Sequence, residues 1–366
     1  MALQVNSDAA RQWIRAWLLI VGLTVYAMIL IGGATRLTDS GLSITEWDPI
    51  KGALPPLSAD AWTVLFDKYK ETTEYQRQNS GMSLGEFKYI FWWEWGHRLF
   101  GRLIGLVAVG GYAVFAFRGW LSKALSRRLL LLIVLGGFQG FVGWWMVASG
   151  IGETTRIDVA PYRLMTHFCM ALLIIALTAW TWLDLGAGPQ KSAGTDNAHR
   201  YPLMARWASI AILVLVAAQL ASGALVAGLD AGRSYNDWPL MAGEVFPSNY
   251  VQHDLGVRSL FEGQAATQFN HRFLAYVLWG LSLFAWFKMR SWPWEANFGL
   301  VAGLISLQAI WGIITLLSTA PLGLALVHQG LGVVILLAAV RLVWQVHRGA
   351  SRQTNTVSDV RAVAAE

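Results

Sequence analysis

The sequence predicts an all-α integral membrane protein in which eight transmembrane helices form two tandem four-helix bundles. Of its 366 residues, 55% are hydrophobic and only 14% are charged, whereas soluble domains carry about a quarter charged residues. The hydrophobic residues are gathered in runs of about 20, the length that crosses a bilayer, and motifs of the first half recur in the second half. The net charge of +6 would suit nucleic-acid binding. However, the basic residues lie in short loops beside apolar runs, so no nucleic-acid partner is expected.

Eight apolar runs supply the predicted spans. They lie at 14–34, 92–117, 129–149, 164–184, 207–228, 270–287, 297–318 and 323–345. Lysine and arginine concentrate in the N-terminal segment, in the short loops after the second, fourth and sixth spans, and in the C-terminal tail. Most acidic residues lie instead in two long loops, 35–91 and 229–269. By the positive-inside rule, both chain termini are expected in the cytoplasm and both long loops on the outer side.

The first long loop contains a predicted helix over 58–78. Trp62, Leu65, Phe66 and Tyr69 fall on one face at helical spacing, which predicts a helix lying on the outer surface of the membrane. A solvated helix that only covers the bundle is an equally good interpretation, so the role of this segment stays open.

The two halves of the chain repeat each other's motifs in the same order. Adding 191 to a residue number carries the segment after the first span onto the segment after the fifth, and smaller offsets align the later spans. The matched pairs are Gly32 with Gly223, Asp39 with Asp230, Gly41 with Gly232, Ser43 with Ser234, Trp47 with Trp238, His97 with His271, Arg98 with Arg272, Gln139 with Gln308 and Gly143 with Gly312.

This repeat divides the chain into a first bundle at 1–185, a cytoplasmic linker at 186–206, a second bundle at 207–345 and a cytoplasmic tail at 346–366. Because four spans separate equivalent segments, both bundles have the same orientation and the repeat is parallel. Many transporters use inverted repeats instead, so a small-molecule transporter is a weaker interpretation.

Histidines are the candidate ligands of both bundles. Four of the seven in the chain lie near the outer ends of the second, fourth, sixth and eighth spans, at His97, His167, His271 and His328. One histidine in a membrane helix is most often a packed, hydrogen-bonded residue. Four at one depth, paired by a repeat, indicate instead two imidazoles that ligate a haem iron from both sides in each bundle. Zinc suits the second half less well, because no third ligand is evident there.

Charged residues beside these histidines distinguish the two halves. Arg98 and Arg272 could bind haem propionates or extend to lipid headgroups, and the sequence does not favour either. Glu94 shares a helix face with His97, but its equivalent in the second half is Gln268 (268 − 174 = 94). A carboxyl group there could pass protons or stabilise positive charge near a macrocycle. The asymmetry therefore predicts chemistry in the first bundle and electron supply in the second.

Several motifs along nearly the whole chain carry a resemblance to a known family. They are TRLTDSGLSITEWDPIKGALPP after the first span, EWGHR at 94–98, QGFVGWWMVASG at 139–150, RLMTHF at 163–168, GLDAGRSYNDWPLMAG after the fifth span, FNHR at 269–272 and HQ at 328–329. In these motifs the chain resembles the haem A synthases, in the branch shared by alphaproteobacteria and mitochondria. Other members carry a cysteine pair in an outer loop of the first half, which is lacking here.

The resemblance implies oxidation of a methyl group of haem O to the formyl group of haem A by successive hydroxylation, for cytochrome c oxidase assembly. It implies that His271 and His328 hold the iron of a haem b cofactor. It further implies that His97 and His167 frame the site of the substrate haem O, with Glu94 essential to the reaction.

Further expectations concern partners and location. The resemblance implies a multi-pass protein of the bacterial inner membrane, surrounded by lipid, with periplasmic long loops. The expected partners are the haem O synthase that supplies the substrate, a ferredoxin-like or quinol electron donor, cytochrome oxidase assembly factors and further copies of the chain. One alternative stays open, a di-haem b cytochrome that only transfers electrons from quinol. It explains the four histidines but not the difference between Glu94 and Gln268.

Overall fold

The protein is all-helical in the part of the chain that the structure describes. The structure, a computed structural model, describes residues 5, 7–152, 154–187, 201–291 and 296–363, with the side chains of the last helix described as far as His347. No β-strand occurs among these residues, and the helical fold class is confirmed. The α-helices are α1 Asp8–Leu37, α2 Ala59–Lys70, α3 Thr73–Arg77, α4 Leu84–Phe117, α5 Lys123–Val147, α6 Pro161–Gly186, α7 Leu203–Gly228, α8 Ser259–Glu262, α9 Gln264–Met289, α10 Ala296–Leu317 and α11 Leu322–Val363.

Seven of the described helices are long and apolar enough to cross a membrane, namely α1, α4, α5, α6, α7, α10 and α11. The eighth predicted span, 270–287, lies within α9, whose 26 residues would suffice in length. That helix is not among the seven, because polar residues such as Gln268, Asn270 and Arg272 occupy its first turns. The membrane character is therefore confirmed, whereas the number of eight spans is not.

The long helices pack as two groups of four. In the first group, α1 packs on α4 and α6, and α5 packs on α4 and α6. In the second group, α7 packs on α9 and α11, and α10 packs on the same two helices. The groups meet where α6 contacts α7 and α11, and where α1 contacts α11. Ile29 and Ile175 of the first group share one buried cluster with Ile212 and Val333 of the second. In lipid such contacts stabilise by packing rather than by release of water.

Some predicted boundaries differ from those of the described helices. The helix α7 begins at Leu203, four residues before the predicted fifth span, and α11 continues to Val363, through most of the predicted tail. No proline interrupts either extension of the helix. Most of the predicted linker, 188–200, lies outside the described residues.

The outer-surface helix predicted over 58–78 is present as two pieces. In α2, Trp62, Phe66 and Tyr69 are buried against the first turns of α4. The chain then turns at Thr72, whose hydroxyl caps the N-terminus of α3. The helix α4 begins at Leu84, well before the predicted start at 92, because Ser83 opens it with a capping box and its first turns pack beneath α2.

An arginine joins the two groups at the C-terminal end of α1. Arg36, whose side chain is only 11% exposed, contacts three carboxylates: Asp39 at 2.8 Å, Asp158 at 3.3 Å and Asp230, from the second group, at 2.7 Å. Asp39 and Asp230, which the sequence repeat pairs, both have a left-handed backbone, with φ of 48° and 51°. This supports the 191-residue offset, although the counterpart of Arg36 itself is Ala227 (36 + 191 = 227).

A buried acid in α3 makes stability depend on pH. Glu74 is 2% exposed and accepts a hydrogen bond from the Tyr69 hydroxyl at 3.1 Å, which in turn accepts one from Asn79 at 2.7 Å. Burial raises the pKa of Glu74 to about 8, although the hydrogen bond from Tyr69 opposes the shift. The folded protein therefore holds a proton that the unfolded chain releases above about pH 4.5.

We expect Glu74→Gln to remove this dependence. In the wild type, the raised pKa should lower stability as pH rises from about 5 to 8, by up to about 1.4 kcal/mol per pH unit for one proton. The variant should have a flatter profile and be the more stable protein at pH 8. Thermal unfolding of the purified protein between pH 5 and pH 8.5 measures both, with the exposed Glu71→Gln as control. Equal slopes for wild type and Glu74→Gln would contradict the prediction.

Candidate functional site

The second group brings two of the predicted ligands close together. His271 on α9 and His328 on α11 have ring centres 6.5 Å apart, at an interplanar angle of 68°. Two imidazoles that ligate one iron from opposite faces have ring centres roughly 6 Å apart, since each metal–nitrogen bond is about 2 Å. The separation therefore fits a haem iron held between the two rings.

A glutamine on a neighbouring helix holds each of three histidines. The Nε2 atom of Gln219 donates to the carbonyl oxygen of His271 at 3.0 Å and lies 3.2 Å from both ring nitrogens. Equivalent contacts join Gln308 to His328 and Gln139 to His167. The sequence repeat pairs Gln139 with Gln308 but predicts no role for them. Gln219 was not predicted, because no glutamine stands at its counterpart in the first half.

The amide oxygens of these glutamines are buried without a hydrogen-bond partner, at Gln139, Gln219 and Gln308. Each amide nitrogen donates to the histidine's own carbonyl oxygen and lies about equally far from the two ring nitrogens, which places the amide over the face of the ring. The glutamines therefore restrict rotation of the imidazoles without engaging a ring nitrogen in the ring plane. A neutral imidazole keeps one in-plane nitrogen that can bind a metal, so the donor set fits a haem iron.

A glycine on the adjacent helix makes room for each of the four rings. A Cβ atom placed on Gly223, Gly143 or Gly312 would lie 3.2, 2.9 or 2.8 Å from Cε1 of His271, His167 or His328. In the same way, a Cβ on Gly32 would lie 3.3 Å from Nε2 of His97. Contacts this short would displace the ring. The repeated glycines therefore leave the space that the imidazole rings occupy.

His97 on α4 and His167 on α6 lie on helices that face each other across the first group, since each packs on α1 and α5. Within the described part of the chain, these two rings make no contact like that of His271 with His328, and His97 has no hydrogen-bond partner. The structure thus brings His271 and His328 together, whereas the pairing of His97 with His167 stays a prediction.

Glu94 contacts the loop that follows α1. Its side chain is 3% exposed. One carboxylate oxygen accepts hydrogen bonds from the Ser43 hydroxyl at 2.7 Å and the Ile44 amide at 2.8 Å, and the other accepts from Arg98 at 2.6 Å. Arg98 also donates to the carbonyl oxygens of Ile44 and Glu46. Carboxylate and guanidinium together fasten this loop to the helix that carries His97.

The second half has the same arrangement, but the hydrogen bonds to the loop run in the opposite direction. Gln268 donates to the carbonyl oxygens of Ala231 at 2.7 Å and Tyr235 at 3.1 Å, and it accepts from Arg272 at 2.9 Å. Arg272 donates to Tyr235, Asp237 and Leu240. Both arginines thus bind loop carbonyls, a role that the sequence analysis did not anticipate because tertiary packing brings these loops to the helices.

Comparisons with known proteins place the chain in a family. A family model described as "Cytochrome oxidase assembly protein" matches residues 15–340. "Heme A synthase" of Hyphomonas neptunium is 61% identical over 339 residues, which cover 93% of this chain and 94% of that protein. The chain belongs to the heme A synthase family. Proteins of the same name from Bradyrhizobium diazoefficiens and Maricaulis maris are 46% and 45% identical, over 93% and 94% of this chain and 92% and 98% of theirs.

Membership of the heme A synthase family confirms the resemblance that the outer-loop and histidine motifs carry. The matched region begins inside α1 and ends inside α11. It therefore includes all four histidines, their glycines and the three glutamines. Both pairs lie within the part of the chain that the family shares, and neither belongs to an appended segment.

Proposed function

We propose that this protein is a haem A synthase, an enzyme that oxidises a methyl group of haem O to the formyl group of haem A by successive hydroxylation, for cytochrome c oxidase assembly. The observation that carries the proposal is the ring separation of 6.5 Å between His271 and His328, in a chain whose near full-length relatives are named "Heme A synthase". The second pair of histidines at equivalent positions gives the protein a separate place for its substrate.

His271 and His328 would hold the iron of haem b, and His97 and His167 would frame the iron of haem O. A bound haem iron supplies one-electron and oxygen chemistry. Gln219, Gln308 and Gln139 hold three of the imidazoles in one orientation, which leaves the metal-binding nitrogens facing the sites. An electron donor, a ferredoxin-like protein or a quinol, serves the second site, and a haem O synthase supplies the first.

Glu94 serves the reaction as a positioning residue. Its carboxylate is fully engaged by Ser43, Ile44 and Arg98, so its effect on the haem O site passes through the loop and through the helix that carries His97. His97 and His167 are the residues expected to touch the reacting group. Arg98 and Arg272 keep the two outer loops closed over the sites and remain able to meet haem propionates at the loop edge.

The proposed architecture is eight transmembrane helices in two tandem bundles, with α9 as the sixth span. The support for α9 is its packing between α7 and α10 and its exposed aromatic face. The exposed large side chains of that face are Phe273, Tyr276, Trp279, Phe284, Trp286 and Phe287. Such a face suits lipid and not water. With α9 in the membrane, the basic short loops lie in the cytoplasm and the long loops in the periplasm of a bacterial inner membrane.

Pigment analysis tests this function. Cells that make haem O but no haem A should accumulate haem A when they express this protein, as measured by chromatography of extracted haems. A protein that carries two b-type haems while haem A stays absent would support the electron-transfer alternative and overturn the proposal.

A further inference from the structure

The residues of α1 beside His97 differ from the equivalent residues of α7 beside His271. Each set is called here the wall of its site: Met28 and Ile31 in the first half, Gln219 and Ser222 in the second. We propose that this difference makes the first-half site release its haem readily, and that Met28 and Ile31 on α1 are the residues that determine it. The inference rests on the proposed function, since it explains how one site can exchange substrate and product while the other keeps its cofactor.

Two polar side chains of α7 hold His271. Gln219 bonds the carbonyl oxygen and lies beside both ring nitrogens, and the Ser222 hydroxyl lies 2.7 Å from Nδ1. With Nδ1 engaged by Ser222, only Nε2 is left to face an iron. The ring of this histidine is therefore held in one orientation before any metal binds.

On α1, apolar residues replace both partners. The 191-residue offset takes Gln219 to Met28 and Ser222 to Ile31 (219 − 191 = 28; 222 − 191 = 31). Met28 reaches the right place, because its terminal methyl group lies 3.1 Å from a Cβ placed on Gly101, one helical turn from His97. Neither side chain can accept a hydrogen bond of ordinary strength from an imidazole.

The ring of His97 also faces its glycine with a different edge. In His167, His271 and His328, the Cε1 and Nδ1 atoms face the glycine, whereas in His97 these are Nε2 and Cδ2. The two arrangements differ by a half-turn of the ring. Three histidines have a glutamine or serine that favours one of these orientations, and His97 has no such partner within the described residues.

Loss of an outer-shell partner typically lowers metal affinity by about 10–100-fold. In the first-half site, Gln139 lies against the ring of His167 and donates to its carbonyl oxygen, whereas His97 has no such partner among the described residues. The first-half site therefore binds iron more weakly than the second-half site. A haem cofactor must stay bound through many turnovers, while haem O must enter and haem A must leave. The distribution of polar partners matches these two requirements.

The test exchanges the two walls. Met28→Gln with Ile31→Ser gives the first site the wall of the second, and Gln219→Met with Ser222→Ile does the reverse. Full-length protein in lipid nanodiscs is loaded with haem O and mixed with an excess of a soluble apo-protein that captures haem. Extraction and chromatography then follow the haem O and haem b that remain bound. Met28→Leu with Ile31→Val is the matched apolar control.

We expect release of haem O from the Met28→Gln/Ile31→Ser variant to slow by about tenfold or more, with haem b content unchanged as the sign of correct folding. The reverse exchange should speed release of haem b by a similar factor, and the apolar control should behave as wild type. If Met28→Gln/Ile31→Ser loses haem b and is therefore misfolded, the single variant Met28→Gln and the reverse exchange are measured in its place.

Unchanged release rates in both exchanged proteins, each with the haem of its other site intact, would overturn the inference while leaving the proposed function standing. Wild-type protein that keeps haem b but never takes up haem O would instead contradict the proposed function, and the inference with it.

Discussion

Replacing His328 with alanine is expected to remove haem b from the protein and to abolish haem A formation. The ring of His328 is one of two imidazoles whose centres lie 6.5 Å apart, so its removal leaves His271 without the opposite ligand. Because loss of an outer-shell partner alone costs about 10–100-fold in affinity, loss of the ligand itself should cost at least as much. Haem b content of the purified protein, measured by extraction, should fall at least about tenfold.

Two controls make this result interpretable. His253 is an exposed histidine of the second long loop, and His253→Ala should keep wild-type haem b and haem A formation. Gln308→Ala removes the partner of His328 without removing the ligand, so an intermediate loss of haem b is expected. Full retention of haem b in His328→Ala would contradict the assignment of this pair as the haem b site.

Glu94→Gln is expected to abolish haem A formation while leaving haem b in place. The carboxylate accepts from Ser43, Ile44 and Arg98 at once, and an amide has only one oxygen to offer them. Its NH₂ group would face either the Ile44 amide or the Arg98 guanidinium. Breaking a buried ion pair by removing one partner costs about 3–5 kcal/mol. The loop after α1 should therefore detach from the helix that carries His97.

The measurement is haem A yield together with haem b content of the same preparation. Glu46→Gln is the matched control. Among the described residues, its side chain pairs only with the exposed Lys68, and such pairs contribute about 0–1 kcal/mol. Loss of haem b in Glu94→Gln would contradict a role confined to the first half.

A pH profile separates positioning from proton transfer by Glu94. As a positioning residue, Glu94 can be weakened indirectly through Ser43→Ala, which removes one of its donors. That variant should lower the rate of haem A formation at every pH without changing the shape of the profile. If the rate of Glu94→Asp no longer falls on one side of the pH optimum, while Ser43→Ala keeps the shape of the wild-type profile, the carboxyl group transfers the proton itself.

The contact between His271 and His328 could be predicted because both residues lie at the same end of repeated helices, a feature that is visible in the sequence. The same holds for the helix over 58–78, whose apolar face is visible as a period in Trp62, Phe66 and Tyr69. The partners of Glu94 could not be predicted, since the loop at 40–46 reaches α4 only through tertiary packing. Gln219 was missed for a related reason: its role appears only when α7 packs against α9.

The span count shows a different limit. Mean hydropathy averages over all residues of a helix. In α9, however, the first turns carry polar residues that contact a loop and the ligand site. Three of its outward-facing aromatic side chains, Tyr276, Trp279 and Trp286, have low hydropathy. The polar residues that α9 contributes to the site lower its mean hydropathy, so the helix is not recognised as a membrane span by hydropathy alone.

The ion-pair junction at Arg36 does not follow the sequence repeat. Its counterpart is Ala227, and alanine carries no charge, so the contact from Arg36 to Asp230 has no symmetrical counterpart from residue 227 to Asp39. The two groups of helices are therefore joined by a charged contact that only one of them supplies.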